Sequence, residues 1–319
     1  MLDYDIVVSN RLRAGRPAGA LERGRQDEAF FISAFCRLWG QDHSSAGKKP
    51  ILGTVIVTDR CSVHDLTSVD HPYEQIRREM ELLYHMGVRI LFFCGGETFL
   101  WHDGARTVRD LVVEAKKMGF LLVNVVTNGT FPIDLPEADL ILLSLDGDRA
   151  RHNAIRGDTY DTIMEHVEHA TSDNICFYMA INQINKGAVR DVCLAAQETK
   201  NVRAVSFNFH TPYPDTRELA LTREEKAECC GVIREMMKAG APVFNLPGAF
   251  PALIENRFPT PCHQCVVVEN GKLSTCGRCI EVPGLCRECG YFFVAEYTLL
   301  FRGHPRIVLE MLRTYLKYI

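Results

Sequence analysis

From Ile51 onward the chain alternates short β-branched or apolar runs with stretches of helical periodicity, and this alternation constrains the fold more than any other feature. The runs Ile51–Thr58, Arg89–Phe93, Leu121–Val126, Leu140–Leu143, Ile175–Ile181 and Ala204–Asn208 read as strands. Most are apolar on both faces, as a sheet covered by helices requires. Helices are expected near Tyr73–Met86, Arg106–Met118, Tyr160–Ala170, Ala188–Thr199 and Arg223–Lys238. In the first of these Ile76, Met80 and Leu83 share a face, and in the second Val108, Leu111, Val112 and Ala115 do. Six such units predict an α/β protein built as a partial (βα)6 TIM-like barrel, curved but not closed by eight strands. Right-handed crossovers gather the C-terminal ends of all strands on one rim, where reacting groups collect in folds of this kind.

The rest of the chain divides around that core. Residues 1–49 form an N-terminal extension with a possible amphipathic helix around Asp27–Trp39 and a polar connection, QDHSSAGKK. Residues 50–245 carry the barrel. Residues 246–319 form a cysteine-rich module that ends in an amphipathic helix, Arg306–Ile319. The net charge of -4 provides no basic field for a nucleic-acid backbone or an anionic membrane, and no stretch approaches eighteen consecutive apolar residues. A cytoplasmic protein without nucleic-acid or membrane partners is therefore expected. In such a reducing setting the 13 cysteines serve as metal ligands or small apolar side chains rather than disulfides. Cys36, Cys94, Cys176, Cys193, Cys229 and Cys230 lie in apolar or helix-like surroundings and are expected to be buried.

Polar groups recur at successive strand ends. Gly95, Gly96 and Glu97 follow the second strand, Thr127, Asn128 and Gly129 the third, and Ser144, Leu145, Asp146 and Gly147 the fourth. The two glycines let the backbone turn tightly and approach a ligand, which leaves Glu97 exposed at the rim. Asn182 after the fifth strand, and Asn208 with His210 after the sixth, are further rim candidates, each equally able to cap a strand or loop.

On these motifs the segment from Ile51 to Pro214 resembles the radical S-adenosylmethionine (radical SAM) superfamily, in the branch of cofactor-maturation and peptide-modifying enzymes with cysteine-rich C-terminal extensions. The resemblance implies that Gly95, Gly96, Glu97 and Thr98 stand at the motif receiving the amino group of SAM, with Thr98 where proline is commoner. It implies further that Asn128, Ser144, Asp146 and Asn182, with His152, Asn153, Ile155, Arg156 and Gly157, shape the SAM pocket. SAM is a zwitterion with a sulfonium, so its site needs a carboxylate for the ammonium, donors for the carboxylate and polar partners for the ribose. The implied activity is cleavage of SAM to a 5′-deoxyadenosyl radical by a [4Fe–4S] cluster supplied by an electron donor, acting on a peptide, cofactor precursor or small molecule.

The resemblance fails at one loop. The family places three cysteines there as CxxxCxxC, whereas this chain has Cys61 followed by Asp65 and Ser68 in the other two positions, with His64 nearby. Oxygen ligands bind iron–sulfur clusters poorly. The activity is thus in doubt in the sequence itself, and the alternative is a non-catalytic SAM-binding or scaffold protein. Farther on, Cys262 and Cys265, Cys276 and Cys279, and Cys286 and Cys289 form three CxxC knuckles. Two such knuckles complete an S₄ site suited to zinc or to a cluster. The first two are linked by a segment that reads as a hairpin turning at Asn270–Gly271.

Overall fold

The structure, a computed structural model, describes residues 50–61, 70–259, 265–275 and 282–318. The N-terminal extension with its helix around Asp27–Trp39, and Cys36, lie outside the described residues. Six parallel strands follow one another in sheet order as in sequence: β1 (Leu52–Thr58), β2 (Ile90–Gly95), β3 (Leu122–Thr127), β4 (Leu140–Ser144), β5 (Ile175–Ile181) and β6 (Val202–Phe209). Helices α1 (Tyr73–Met86), α2 (Val108–Met118), α3 (Arg149–Arg156), α4 (Tyr160–His169), α5 (Val189–Glu198) and α6 (Arg223–Lys238) form the connections and follow the last strand.

Two helix assignments differ from expectation for local reasons. Helix α2 begins at Val108 because Arg106–Thr107 pairs with His102–Asp103 as a small antiparallel ribbon, and the Asp110 carboxylate accepts from Thr107 N at 2.8 Å. Helix α3, unanticipated, is started by the Asp148 carboxylate, which accepts from Arg151 N at 2.9 Å.

The two faces of the sheet have different environments. Outward-pointing Val55, Val57, Leu91, Phe93, Val123 and Val125 pack against Ile76, Met80 and Leu83 of α1 and Leu111, Val112 and Ala115 of α2. All of these side chains are fully buried, and each contributes about 1.5–3 kcal/mol through loss of water contact. Inward-pointing Thr54, Ile56, Phe92, Cys94, Tyr178 and Ser206 are only half-buried. The curved sheet therefore encloses an open lumen floored by Leu140, Cys176 and Ala204 with Leu142 and Phe244. Cys176, Cys193, Cys229 and Cys230 are buried as expected, and burial pushes their thiols up to about 12, 12, 11 and 12. Cys94 departs from that expectation, standing half-buried on the lumen face.

The C-terminal segment joins the same sheet. Strand β7 (Cys265–Glu269) lies parallel to β1, with Leu52 opposite Cys265 and Ile56 opposite Glu269, and β8 (Lys272–Thr275) folds back on it. The hairpin turn falls where the sequence places it, with Asn270 and Gly271 at φ 48 and 74. Glu79 on α1 holds that turn, its Oε1 accepting from Gly271 N at 2.6 Å, and Gln75 donates to the Asn270 side chain at 3.1 Å. Three more helices follow β6 along the chain: α7 (Phe250–Glu255), α8 (Phe292–Phe301) and α9 (Pro305–Tyr318). Helix α9 corresponds to the expected Arg306–Ile319 helix, with Ile319 outside the described residues.

Helix α8 is buried around most of its circumference and carries one carboxyl, Glu296. Its Oε1 accepts from Leu246 N at 2.8 Å and from the Asn245 side chain at 3.3 Å, while Asn245 also pairs with the backbone of Phe207. Glu296 thereby ties α8 to β6. Burial, aided by Glu310, pushes its carboxyl up to about 7. Below its ordinary range both folded and unfolded states hold the proton, and between there and about pH 7 only the folded state does. The contribution of Glu296 to stability is therefore greatest in acid and falls as pH rises to about 7, by roughly 3 kcal/mol on the scale of 1.36 kcal/mol per unit. In chemical denaturation from pH 4.5 to 8, the stability of the unsubstituted chain relative to Glu296→Gln is expected to show that decline.

Candidate functional site

The loop leaving β1 and the turn leaving β2 are joined through their backbones. Gly96 N donates to Thr58 O at 2.9 Å and Glu97 N to Arg60 O at 2.6 Å, which places Cys61 directly beside the Gly95–Gly96–Glu97 turn. A Cβ on Gly95 would stand 2.4 Å from Thr58 O, and one on Gly96 would stand 2.2 Å from Arg60 O. Neither glycine has a left-handed φ. They are required by close approach of the chain to itself, not by a tight turn around a ligand as expected from sequence. The far end of the Cys61 loop is anchored as well: Asp70 accepts from the Thr58 hydroxyl at 2.7 Å and from Arg60 Nη1 at 3.0 Å, and Trp101 Nε1 donates to His71 O at 2.8 Å. Residues 62–69, including His64, Asp65 and Ser68, lie outside the described residues.

Glu97 is fully buried, a correction to its expected exposure at the rim. Its Oε1 accepts from Phe99 N at 2.9 Å and from the Thr127 hydroxyl at 2.7 Å, and its Oε2 accepts from Asn128 N at 2.7 Å. Burial raises its pKa, and those three donors oppose the rise. The carboxylate thus ties the end of β2 to the end of β3. Thr98, also buried, donates to Val126 O at 2.7 Å in the same join. Asn128 is buried, its side-chain oxygen accepting from Thr130 N and hydroxyl at 3.0 and 2.7 Å.

The next strand end follows the same logic. Asp146, 2% exposed, pairs with Arg156 Nε and accepts from Ala180 N at 3.3 Å. His152 is fully buried, and its Nδ1 accepts from Asp146 N at 3.1 Å while Nε2 faces the Thr159 hydroxyl at 3.0 Å. Burial pushes this imidazole down to about 4, so it is neutral and acts as a fixed brace. The Asn153 side chain accepts from Tyr160 N at 3.1 Å, and Gly157 adopts φ 73 at the end of α3. Asn182 accepts from Ile184 N at 2.8 Å and Asn185 N at 3.3 Å, an internal cap. Asn208 joins Tyr178 and accepts from Phe292 N at 2.7 Å, and His210 Nε2 lies 3.1 Å from Thr216 O. The structure brings the expected motif residues together on one rim, yet most of their polar atoms bind the rim itself. Of the strand-end motif residues Gly95 is exposed and Gly96 half-buried, while Ser144, at the end of β4, is buried.

Sequence reading missed the Arg60–Asp70 clamp, Asn124 and Tyr178, and it did not foresee that Arg156 pairs with Asp146. Position parity alone was available as a signal: Asn124 and Tyr178 each interrupt an apolar strand at an inward-facing position. Tyr178 is held far above its ordinary pKa by burial and by neighbouring Tyr291, Cys94, Cys176 and Asp146, which places it between the rim and the C-terminal segment.

Of the expected metal ligands, Cys262, Cys276 and Cys279 lie outside the described residues. Cys265 opens β7, and Cys286 lies within a short 3-10 turn at Leu285–Glu288 that Cys289 follows. That turn is docked on the end of β6: Phe209 N donates to Gly290 O at 2.9 Å, Gly290 N donates to the Thr211 hydroxyl at 3.1 Å, and a Cβ on Gly290 would meet Phe209 O at 2.0 Å. Among the described residues no group of three or more His, Cys, Asp or Glu side chains is placed to hold a metal ion. Cys61 is followed by no further cysteine before Cys94, which faces the lumen from β2. This donor set does not fit a site-differentiated [4Fe–4S] cluster at Cys61. The six C-terminal cysteines, as a soft thiolate set, do fit zinc or a cluster.

Gly96→Ala is expected to destabilise the chain by about 1–3 kcal/mol, because the added methyl meets fixed backbone rather than a mobile side chain. Gly231→Ala on α6, with no atom near its Cβ, is expected to stabilise by about 0.5–1 kcal/mol in the same denaturant titrations.

Neither a protein-family model nor a curated protein sequence matches the chain. Solved structures do. SuiB of Streptococcus suis bound to precursor peptide SuiA superimposes with a TM-score of 0.56 at 10% identity, over 82% of this chain and 64% of SuiB. SuiB bound to S-adenosylmethionine gives 0.53 at 10% identity, over 74% of this chain and 65% of SuiB. Native anSMEcpe with bound AdoMet gives 0.51 at 14% identity, over 81% of this chain and 98% of that protein. The chain thus spans less than two thirds of the length of SuiB. Its mostly parallel sheet, covered by helices on the outside and not closed into a ring among the described residues, has the partial-barrel fold of the SuiB and anSMEcpe structures.

Proposed function

We propose that this chain is a radical SAM-type protein that binds S-adenosylmethionine across the C-terminal rim of its partial barrel. In the form given by this sequence it binds SAM without cleaving it reductively. The observation that carries the second statement is the single thiolate, Cys61, at the loop where the family uses three. Reductive cleavage to a 5′-deoxyadenosyl radical is the chemistry that SAM and a cluster supply together when both are bound.

The residues have separable tasks in this reading. Glu97 acts through Asn128, Thr127 and Phe99, fixing the turn so that the open peptide edge at Gly95 faces the ligand. Ser144 offers a hydroxyl to the polar parts of SAM, and Asp146 with Arg156 and His152 keeps that strand end rigid. Asn128, Thr98 and Asn182 hold the rim in shape rather than supplying charge. The substrate is a peptide, a cofactor precursor or a small molecule, the first supported by the likeness to SuiB. The protein works in the cytoplasm, with Cys262, Cys265, Cys276, Cys279, Cys286 and Cys289 holding a cluster or zinc.

A second reading, an active radical SAM enzyme with an electron donor, is favoured by the six-cysteine set of the C-terminal segment. Protein purified and reconstituted with iron and sulfide without oxygen separates the two. Calorimetry is expected to show SAM binding, and mass spectrometry no 5′-deoxyadenosine above background after dithionite reduction. Formation of 5′-deoxyadenosine would overturn the inactive reading. Glu97→Gln places an amide N–H₂ among groups that all donate, and is expected to weaken SAM about tenfold, or ~1.4 kcal/mol. An unchanged affinity would sink the rim site. Metal analysis of the native protein decides the C-terminal centre, since zinc without iron excludes the cluster.

A further inference from the structure

Among the described residues four buried polar atoms have no hydrogen-bond partner: His71 Nε2, Glu79 Oε2, Glu137 Oε2 and Asn124 Oδ1. The first three belong to the outer layer or its loops. Asn124 is different. Its neighbours in β3, Val123 and Val125, point into the outer core, so Asn124 points into the lumen. It is 5% exposed, and the residues opposite it on the flanking strands, Phe92 and Leu140, offer no polar group. A buried amide oxygen left without a donor is costly, and such a group in a native protein marks a missing partner.

The rest of the lumen indicates which partner fits. On β1 to β6 the inward positions carry hydroxyl, thiol, amide and apolar side chains, among them Thr54, Cys94, Ser144, Tyr178 and Ser206, with no carboxylate or cation. Burial keeps the Cys94 thiol, at about 12, and the Tyr178 phenol neutral. The charged inward positions, Glu269 and Lys272, lie on the β7–β8 hairpin beyond β1, so a charged group entering beside Asn124 on β3 would lose its water without gaining a counter-charge on either flanking strand. An uncharged group that donates to Asn124 Oδ1 meets no such obstacle.

We infer that the lumen beneath the rim is a binding site for an uncharged carboxamide of the substrate, whose N–H donates to Asn124 Oδ1. This deepens the reading above by naming the class of the second ligand, and it rests on that reading for the identity of the rim as the SAM-binding end. A carboxamide satisfies the orphaned oxygen with one N–H and offers its own oxygen to the hydroxyls around it.

The test uses three small probes of similar size and different charge on the full chain: acetamide, acetate and methylammonium, each followed by saturation-transfer NMR. Acetamide is expected to show saturation that Asn124→Leu reduces at least fivefold, with acetate and methylammonium showing none above a denatured control. Equal acetamide signals in the two proteins, or acetate binding as well as acetamide, would overturn the assignment. Thermal melting checks that the residue is not merely structural. Removing an unpartnered polar group for a similar apolar volume is expected to leave the melting temperature equal or higher, and a loss of several degrees would equally overturn the proposal. Calorimetry of SAM with the unsubstituted chain is read separately: absence of SAM binding counts against the rim reading, while the acetamide comparison still decides the lumen.

Discussion

Two backbone hydrogen bonds, Gly96 N to Thr58 O and Glu97 N to Arg60 O, set the geometry on which the rest of the rim depends. They need two adjacent residues without Cβ atoms, because the carbonyl oxygens of the neighbouring strand occupy the space where side chains would begin. Once the chain ends of β1 and β2 are fastened in this way, the carboxylate of Glu97 is enclosed and meets the end of β3. Each strand end is thus fixed by the one beside it, and the rim is a connected chain of buried hydrogen bonds rather than a row of independent ligands. Networks of this kind raise the cost of losing any member, since each leaves a partner stranded.

The barrel was legible in the sequence because its signal is periodicity. Apolar spacing in α1 and α2 and the run of β-branched residues in the strands reflect burial, which the sequence records directly. The motif positions were legible too, but their roles were not. Glu97 is a charged residue that sequence reasoning sends to the surface and Asp146 one assigned to the SAM pocket, and both are buried because fixed donors surround them: Phe99 N, Thr127 and Asn128 N in one case, Arg156 and Ala180 N in the other. Those donors come from segments distant in sequence, so no local pattern announces them. Asn124 escaped notice for the converse reason, as a single polar residue in a strand that otherwise reads as apolar.

The C-terminal cysteine segment is tied to the barrel at both margins of the sheet. Strand β7 pairs along β1, and the turn bearing Cys286 and Cys289 rests on the end of β6 through Gly290. Cys265 thus opens a strand beside β1, while Cys286 and Cys289 stand near the end of β6. Cys61 and the six C-terminal cysteines are separate chemical provisions, of which only the second has enough sulfur for a metal.

The pairing of β7 with β1 also shapes how the chain reaches its folded state. Leu52 pairs with Cys265, 213 positions further along the chain, so the pairing of β1 with β7 waits until the C-terminal segment has been made. During that interval a strand of the sequence LGTVIVT, rich in β-branched residues, presents an open row of backbone donors and acceptors. The Asn270–Gly271 hairpin then acts as a closing strip, and its turn is captured by Glu79 on a helix already packed over β1. Shortening the chain anywhere before that hairpin leaves the open row permanently exposed, and self-association through β1 becomes the competing outcome.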